Sequence, residues 1–257
     1  MELVLIDASG AIPLDAHGAP LLFREVPDGA SISNHVTVRP GVQAARVDGV
    51  SAADLAGGVE HTATARTHSC DPLVARAIGL VNARERYRFD PRDGSPLQWG
   101  DGGIVARGRS GEPIFPRLDP SVIGLVEHPD GQHILVVENA RRPGYFTAVA
   151  GYVDVGETIE AAFTREVLEE TGRRLSSQRY VGSQPWPASG ALMLGFIGRT
   201  EDVDPVAEVD GELSAVMWAS RRDLDALPLA PEGSIARRLI GAWSSGALTA
   251  ESGALWQ

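Results

Sequence analysis

The residues best suited to chemistry are the acidic side chains between positions 166 and 170. Glu166 and Glu170 are four positions apart, so on a helix they lie one turn apart on the same face, with Glu169 beside them. Like charges at this spacing destabilise a helix by roughly 0.2–0.5 kcal/mol per pair. Divalent cations that prefer oxygen ligands would offset this repulsion, so the cluster predicts a metal site. A solvated acidic helix face is the alternative interpretation.

A glycine-containing loop precedes the acidic cluster. Gly151 and Gly156 allow the backbone of residues 151–157 to approach other groups closely, because glycine carries no side chain. Arg165 and Glu157 are placed to reach the cluster and to orient its ligands through hydrogen bonds. The loop and the acidic segment together favour metal-dependent chemistry.

Hydrophobic patterning from residue 121 onward predicts the elements that position this segment. Residues 122–127 and 133–138 are expected to be strands joined by a turn with an Asp-Gly pair. Residues 158–171 have helical spacing and end at Gly172. The other expected elements are strands at 145–150, 191–197 and 213–219, and a closing helix at about 234–243. The predicted fold class is α+β, with a mixed sheet and flanking helices.

The chain before this region is expected to form two further parts. Residues 1–85 predict a small α+β region with short strands at 1–6 and 21–26. Residues 86–118 are rich in Gly and Pro and predict two short hairpins. The remainder, residues 119–257, forms the third expected domain.

Composition excludes several classes of protein. The 257 residues carry 23 basic and 34 acidic side chains, and the net charge of −11 argues against sequence-independent binding along a nucleic-acid backbone. Every basic residue is Arg, which excludes Schiff-base chemistry and a phosphate-binding lysine. No apolar run approaches the ~20 residues that cross a bilayer. Cys70 is the only cysteine, which excludes an intramolecular disulfide and a cysteine-rich zinc site. We therefore expect a cytoplasmic protein without a membrane partner.

The acidic segment resembles the Nudix box. It has the form Gly-x5-Glu-x7-Arg-Glu-apolar-x-Glu-Glu-x-Gly-apolar, and only the last position differs, because Arg173 stands where the family has an apolar residue. The resemblance implies a Nudix fold and hydrolysis of a nucleoside diphosphate linked to another group, with Mg²⁺ or Mn²⁺ bound by the box. One of the carboxylates is expected to position or deprotonate the attacking water. The implied catalytic residues are Glu157, Arg165, Glu166, Glu169 and Glu170, and the last three form the metal face.

A second motif is similar to an element of the NADH pyrophosphatase subfamily. Residues 183–187 read Ser-Gln-Pro-Trp-Pro and begin eleven residues after Gly172. Carried over position by position, this resemblance adds the Ala150 carbonyl and Glu212 to the metal ligands. The implied substrate contacts are Phe115, Tyr152, Gln184, Pro185, Trp186, Pro187 and Ala236.

The subfamily resemblance also implies a reaction and partners. It implies hydrolysis of NAD(H) to AMP and nicotinamide mononucleotide by a homodimer, and for some members removal of an NAD cap from the 5′ end of RNA. The nearest alternative keeps the chemistry and changes the substrate to ADP-ribose or another nucleoside diphosphate derivative. A non-catalytic nucleotide sensor is the alternative from a different class.

Two departures from the subfamily pattern bear on these expectations. Residues 188–191 read Ala-Ser-Gly-Ala where the subfamily has Phe-Pro-x-Ser, so a ring and a hydroxyl donor are missing. Relatives also carry a four-cysteine zinc ribbon before the Nudix domain. Here Asp90 and Asp93 occupy the first two cysteine positions, and the second pair is missing as well. Zinc is therefore not expected, and we expect turns, ion pairs and dimer contacts to hold the ribbon-like shape.

Overall fold

The computed structural model describes residues 1–253, apart from the side chain of residue 101. Residues 254–257, the end of the third expected domain, lie outside this range. Among the described residues, none of the helices combines the length and the apolar character that crossing a membrane requires.

The chain divides into two units by its internal contacts. The first comprises Met1–Leu118 and Pro185–Gly190, and the second comprises Asp119–Gln184 and the chain from residue 191 onward. The elements of the first unit are β1 (Glu2–Ile6), β2 (Ile12–Pro13), β3 (Ser31–Arg39), β4 (Val42–Asp48), α1 (Ala52–Ala56), β5 (Thr62–Ala63), α2 (Pro72–Arg86), β6 (Gln98–Gly100), β7 (Val105–Arg107) and β8 (Pro113–Ile114). Two short 3-10 helices, Val59–His61 and Asp101–Gly103, lie between them.

A small sheet covered by one helix forms the core of the first unit. Strand β4 pairs in parallel with β1 and antiparallel with β3. Helix α2 buries Val74, Ile78 and Val81 together with apolar side chains of this sheet. It begins after Asp71, whose carboxylate accepts hydrogen bonds from the backbone amides of residues 73 and 74, and Pro72 occupies the first helical position.

The strand expected at residues 21–26 is wrong. Only Phe23 makes a bridge there, by exchanging backbone hydrogen bonds of 2.7 and 2.9 Å with Leu3. Pro20 and Pro27 bracket this stretch, and proline has no N–H group to donate to a sheet.

Two turns in residues 86–118 are joined by side-chain hydrogen bonds. Strands β6, β7 and β8 form a small antiparallel sheet in this segment. The buried carboxylate of Asp90 accepts hydrogen bonds from the backbone amide of Arg92 at 2.9 Å and from the hydroxyl of Ser110 at 2.5 Å. The hydroxyl of Ser95 accepts one from the amide of Arg109 at 2.7 Å. Side chains thus connect the two turns directly.

A mixed sheet between helices forms the second unit. Its elements are β9 (Asp119–Glu127), β10 (His133–Asn139), β11 (Val149–Tyr152), α3 (Ile159–Thr171), β12 (Leu175–Trp186), β13 (Ala191–Thr200), β14 (Leu213–Ser220), α4 (Arg221–Leu224) and α5 (Ile235–Ser244). The strand order is β12-β13-β9-β10-β14, and β11 also pairs with β9. The β9–β13 pair is parallel, whereas β10 is antiparallel to β9 and β14. This confirms the expected α+β class with a mixed sheet.

Successive side chains of β9 point to opposite faces of this sheet. Val122 and Val126 are buried in the cluster that contains apolar residues of α3, whereas Ile123 and Leu125 are buried in the cluster that contains residues of α5. Gly124 is required in this strand, because a Cβ atom there would lie 2.4 Å from the ring of Phe163. Strand β9 therefore contributes to the apolar clusters of both α3 and α5.

The expected strands of this unit differ from the structure in two places. The strand expected at 145–150 lies at Val149–Tyr152 instead, and Phe146 and Thr147 contribute only isolated bridges. Strand β12 was not expected. Its first half contains Ser176, Ser177 and Gln178, so it lacks the alternation of apolar and polar residues that indicates a half-buried strand.

Replacing Asp90 tests the connection between the two turns of the first unit. Asp90→Ala should lower the free energy of unfolding by about 1–3 kcal/mol, because the Ser110 hydroxyl and the Arg92 amide lose a buried acceptor. Denaturant unfolding followed by fluorescence measures this change. Asp28→Ala is the matched control, since Asp28 is an exposed residue of the same unit outside residues 86–118. Equal losses in the two variants would contradict the assigned role.

Candidate active site

Helix α3 begins and ends at residues that suit its termini. The hydroxyl of Thr158 accepts a hydrogen bond from the backbone amide of Ala161 at 3.1 Å and caps the first turn. Gly172 ends the helix with a φ of 69° and donates its amide to the carbonyl of Leu168 at 2.8 Å. A Cβ atom at residue 172 would also lie 2.6 Å from the carbonyl oxygen of Ala207. Glycine is therefore needed for the helix end and for the approach of a second chain segment.

Arg165 connects the acidic side chains of the loop and the helix. Its Nε and Nη2 atoms donate to the two oxygens of Glu157, each at 3.0 Å. Its Nη1 atom donates to Glu166 at 2.7 Å and to Glu169 at 2.8 Å, and Nη2 also donates to the carbonyl of Tyr152 at 3.0 Å. These hydrogen bonds, that of Glu157 foremost, raise the pKa of the guanidinium, and the bond to Arg165 lowers the pKa of Glu157. The structure thus brings these four charged residues together.

The carboxylate of Glu166 lies directly over Gly151. A Cβ atom at residue 151 would be 2.0 Å from the carboxylate carbon, so the first glycine of the box is required for this approach. Burial raises the pKa of Glu166, Arg165 opposes this shift, and the charges of Glu169 and Glu212 add to it. Glu166 therefore has one strong cationic partner and several anionic neighbours.

Glu170 is a buried carboxyl group whose negative charge has little compensation. It is only 4% exposed, and its Oε2 atom has no hydrogen-bond partner among the described residues. Burial, followed by the charges of Glu166 and Asp210, raises its pKa to about 8, while a hydrogen bond from the backbone of Ala150 opposes this shift. A divalent cation shared with neighbouring carboxylates would relieve the unfavourable burial. The oxygen donors present fit Mg²⁺ or Mn²⁺.

An open cavity lies beside these carboxylates. It has a volume of about 370 Å³ and is lined by Tyr152, Val153, Asp154, Arg165, Glu166 and Glu169. Glu169 is 49% exposed and Tyr152 is 54% exposed, so a carboxylate and an aromatic ring are both accessible from solvent. The volume lies within the range of about 300–1,000 Å³ that is typical of small-molecule sites.

The acidic loop, residues 201–212, is fastened to the C-terminal end of α3. The amide of Val206 donates to the carbonyl of Gly172 at 2.8 Å, and the amide of Asp210 donates to the carbonyl of Glu169 at 3.0 Å. Carbonyls at the end of a helix lack partners within the helix, so the loop satisfies groups that would otherwise need water.

This loop carries Asp210, an acidic residue that the sequence analysis missed. Its carboxylate accepts a hydrogen bond from the amide of Glu212 at 2.9 Å. The charges of Asp210 and Glu212 both raise the pKa of Glu170, and that of Glu212 also raises the pKa of Glu166. The acidic pattern Asp-Gly-Glu at 210–212 was the available signal, but its relation to α3 depends on the folding of the loop.

Arg173, the departure from the box, holds the acidic loop in place. Its Nε and Nη2 atoms donate to the carbonyl of Val203 at 3.1 and 3.0 Å, and its Nη1 atom donates to the carbonyl of Thr171 at 2.8 Å. The guanidinium also lies 5.3 Å from the ring centre of Trp218, whose Nε1 atom donates to the same Val203 carbonyl at 3.0 Å. A buried arginine at this position therefore connects helix, loop and strand.

Three further expected site residues lie in the second unit. Ala150 lies in β11, and its backbone bonds to Glu170. Gln184 is buried and donates from its Nε2 atom to the carbonyl of Gly233 at 2.7 Å. Ala236 lies on α5 within the apolar core, so a contact from it to a ligand would come from its backbone.

The other expected substrate contacts belong to the first unit; they are Phe115, Pro185, Trp186 and Pro187. Phe115 follows β8 and is exposed. The carbonyl of Pro187 accepts a hydrogen bond from Asn82 at 3.3 Å, and Arg86 donates to the carbonyls of residues 188 and 189 at 3.3 and 3.1 Å. Within this unit, side chains of α2 thus bond to the backbone of residues 187–189, where the sequence departs from the subfamily pattern.

Comparisons with known proteins identify the region that contains this site. The family model described as NUDIX domain matches residues 117–240. The curated protein named NAD-capped RNA hydrolase NudC from Klebsiella pneumoniae is 36% identical over 174 residues, which cover 65% of this chain and 64% of that protein. The protein of the same name from Deinococcus radiodurans is 35% identical over 172 residues, which cover 65% of this chain and 60% of that protein. The chain thus spans about three fifths of the length of these relatives.

A solved structure supports the fold. The crystal structure of a NUDIX hydrolase from Nitrosomonas europaea matches with a TM-score of 0.50 and 18% identity, covering 62% of this chain and 91% of that chain. This similarity concerns the fold alone.

The raised pKa of Glu170 predicts a pH dependence of stability. Without a divalent cation, the folded protein retains a proton that the unfolded chain releases above its ordinary pKa of 4.5. The free energy of unfolding should therefore fall as the pH rises from 4.5 toward about 8. Glu170→Gln should remove this slope and make the metal-free protein more stable at pH 8. Denaturant unfolding at several pH values in a chelating buffer measures both effects.

Addition of Mg²⁺ provides a second test of Glu170. Mg²⁺ should stabilise the parent protein at pH 8 and stabilise Glu170→Gln much less, because one ligand is neutral. Glu160→Gln is the matched control, since Glu160 is an exposed residue in the first turn of the same helix. An equal response to Mg²⁺ in all three proteins would contradict the assigned metal face.

Replacing Arg173 tests how the acidic loop is held. Arg173→Leu restores the apolar residue of the family motif but removes three hydrogen bonds to the carbonyls of Thr171 and Val203. We expect a loss of about 1–3 kcal/mol in the free energy of unfolding and a weaker response to Mg²⁺. The exposed Arg222→Leu is the control. If Arg173→Leu retained the stability and the Mg²⁺ response of the parent, the loop would not depend on this residue.

Proposed function

Because this chain belongs to the Nudix family through residues 117–240, we propose that it hydrolyses the pyrophosphate bond of NAD(H) with Mg²⁺ or Mn²⁺. The products would be AMP and nicotinamide mononucleotide. The observation that carries the proposal is the buried carboxylate of Glu170, which lies beside like charges and has an oxygen without a hydrogen-bond partner among the described residues. The names of the curated relatives support the choice of an NAD-type substrate.

The residues that would hold the cation are those around Glu170. Glu166 and Glu212 share its surroundings, since their charges raise its pKa, and the backbone of Ala150 bonds to it. Glu169 lies one residue away on the cavity side. A bound divalent ion would neutralise charge on the phosphoryl oxygens and lower the pKa of a water molecule. Asp210 adds a further negative charge to this group.

Two other charged side chains, Arg165 and Glu169, would orient the carboxylates and activate the water. Arg165 fixes Glu157, Glu166 and Glu169 through four hydrogen bonds, so that these carboxylates are oriented before a substrate arrives. Glu169 lines the cavity and is half exposed, which suits it to orient a water and accept its proton. The water oxygen bonds to one phosphorus as the bond from that phosphorus to the bridging oxygen breaks. The bridging oxygen leaves with the other phosphate group.

The accessible ring of Tyr152 would bind the flat part of the substrate. It lines the cavity together with Asp154 and Glu166, so a base stacked on it would lie near the carboxylates. The subfamily resemblance assigns further substrate contacts to Phe115 and Gln184. The missing ring and hydroxyl at residues 188–191 reduce the groups available to select the nicotinamide half.

NAD-capped RNA is a second candidate substrate of the same site. The curated relatives are named for this activity, and the bond to be cleaved is the same. The net charge of −11 disfavours extensive contact with the RNA chain, so recognition would be limited to the 5′ end. The expected homodimer and cytoplasmic location also belong to this proposal, and rest on the family resemblance and the single cysteine.

Cleavage assays test the substrate assignment. NADH, NAD⁺, ADP-ribose and NAD-capped RNA are incubated separately with the protein and Mg²⁺ or Mn²⁺, and the products are separated by chromatography. We expect AMP and nicotinamide mononucleotide from NADH or NAD⁺ and no cleavage in a chelating buffer. A strong preference for ADP-ribose would support the alternative substrate class and contradict the proposal.

The metal face is tested by activity in the same assays. Glu170→Gln should lower kcat/KM by ~100-fold or more, because a ligand is removed while the shape of the side chain is kept. Glu160→Gln should retain parental activity, since it lies outside the cluster on the same helix. Full activity in Glu170→Gln would contradict the assignment, and nucleotide binding without cleavage in the parent protein would favour a sensor.

A further inference from the structure

A second group of metal-ligating side chains lies on the hairpin between β9 and β10. His128, Asp130 and His133 each place one ligand atom so that all three atoms lie within 4.8 Å of one another. The spacing His-x-Asp-x2-His brings them together because the chain reverses direction at Gly131. None of these residues takes part in the acidic site on α3.

The nitrogen and oxygen atoms of this group converge closely. The Nδ1 atom of His128 lies 2.9 Å from Oδ1 of Asp130, and the Nδ1 atom of His133 lies 2.8 Å from Oδ2 of the same carboxylate. The backbone amide of Asp130 also donates to Nδ1 of His128 at 3.1 Å. A metal ion bound here would take the place of the protons shared between these imidazole nitrogens and the carboxylate.

The fold holds these ligands in place before any ion binds. The amide of Gln132 donates to Asp130 at 2.7 Å, and together with the two histidines it holds the pKa of this carboxyl at about 2. The ring of His128 packs edge-on against Trp218, with ring centres 4.8 Å apart. Arg199 donates to the carbonyl of Pro129 at 2.7 Å and fixes the turn from the other side. Preorganised ligands lose less conformational entropy when they bind an ion.

We propose that this hairpin binds one divalent ion of the class that accepts imidazole nitrogen, such as Zn²⁺, Ni²⁺ or Cu²⁺, through His128, Asp130 and His133. Two imidazoles and one carboxylate are a donor set typical of such ions, whereas Mg²⁺ prefers oxygen ligands alone. Three protein ligands leave coordination positions for water or a second molecule. This hairpin differs from the cysteine-less turns at Asp90 and Asp93, for which zinc is not expected.

The experiment uses the full chain with Cys70 replaced by Ser, because an exposed thiol binds the same ions. Excess Mg²⁺ is present to occupy the acidic site. Calorimetric titration with Ni²⁺ or Zn²⁺ should show one ion bound per chain, and electron paramagnetic resonance of bound Cu²⁺ should show coupling to imidazole nitrogen. Quenching of Trp218 fluorescence by Ni²⁺ should accompany binding, since this ring contacts His128.

Replacing His133 tests the ligand assignment. His133→Ala should weaken binding at least tenfold and reduce the nitrogen coupling, while NADH cleavage in Mg²⁺ stays at the parental level. His61→Ala is the matched control, because His61 is another exposed histidine near a carboxylate, 3.9 Å from Glu60. His133→Asn provides a second variant if the alanine variant is unstable.

The three binding measurements decide whether the ion binds at this hairpin. Binding by the parent and by His61→Ala, with loss in His133→Ala, supports the site. Equal affinity in all three proteins, or Cu²⁺ bound without nitrogen coupling, would overturn it. Absence of NADH cleavage together with intact Ni²⁺ binding would count against the proposed function and leave the hairpin site supported.

Discussion

Unequal compensation of negative charge on α3 is the constraint on which the site depends. Arg165 donates to Glu157, Glu166 and Glu169, so the carboxylates on its side of the helix share one guanidinium. Glu170 lies on the other side of Glu166, is buried, and among the described residues has an oxygen without a hydrogen-bond partner. The acidic loop then adds Asp210 to that poorly compensated side. The protein thus folds with a local excess of negative charge that a divalent ion would relieve.

Close approach of separate chain segments makes this arrangement possible. Gly151 leaves space for the carboxylate of Glu166, and its carbonyl is held by a hydrogen bond from the Ser121 hydroxyl at 2.7 Å. Gly172 leaves space for the acidic loop at the end of α3. The two glycines therefore determine where the loop of residues 151–157, helix α3 and the acidic loop can meet. Gly151 itself lies in β11, which pairs with β9 in the sheet.

Local patterns in the sequence predicted much of the second unit. Thr158 and Gly172 mark the ends of α3 because capping depends on neighbouring residues, and the Asp-Gly pair at 130–131 predicts the β9–β10 hairpin for the same reason. Strand β12 could not be predicted in this way, because half of it is polar and its pairing with β13 is a tertiary interaction. The strand expected at 21–26 is wrong because apolar composition alone does not supply hydrogen-bond partners.

The acidic side chains of the site were predictable only where their spacing is local. Glu166, Glu169 and Glu170 stand on one helix, so their proximity follows from helical geometry. Asp210 reaches them because a loop some forty residues later in the chain docks on the end of α3.

The role of Arg173 depends on the same docking. At the sequence level an arginine in an apolar position of the box looks like a defect, yet its guanidinium bonds to carbonyls of both the helix end and the loop. Planar geometry and several donors suit arginine to join two carbonyls at once, which an apolar residue could not do. The departure from the family motif therefore has a structural role, because it links the helix that carries Glu166, Glu169 and Glu170 to the loop that carries Asp210 and Glu212.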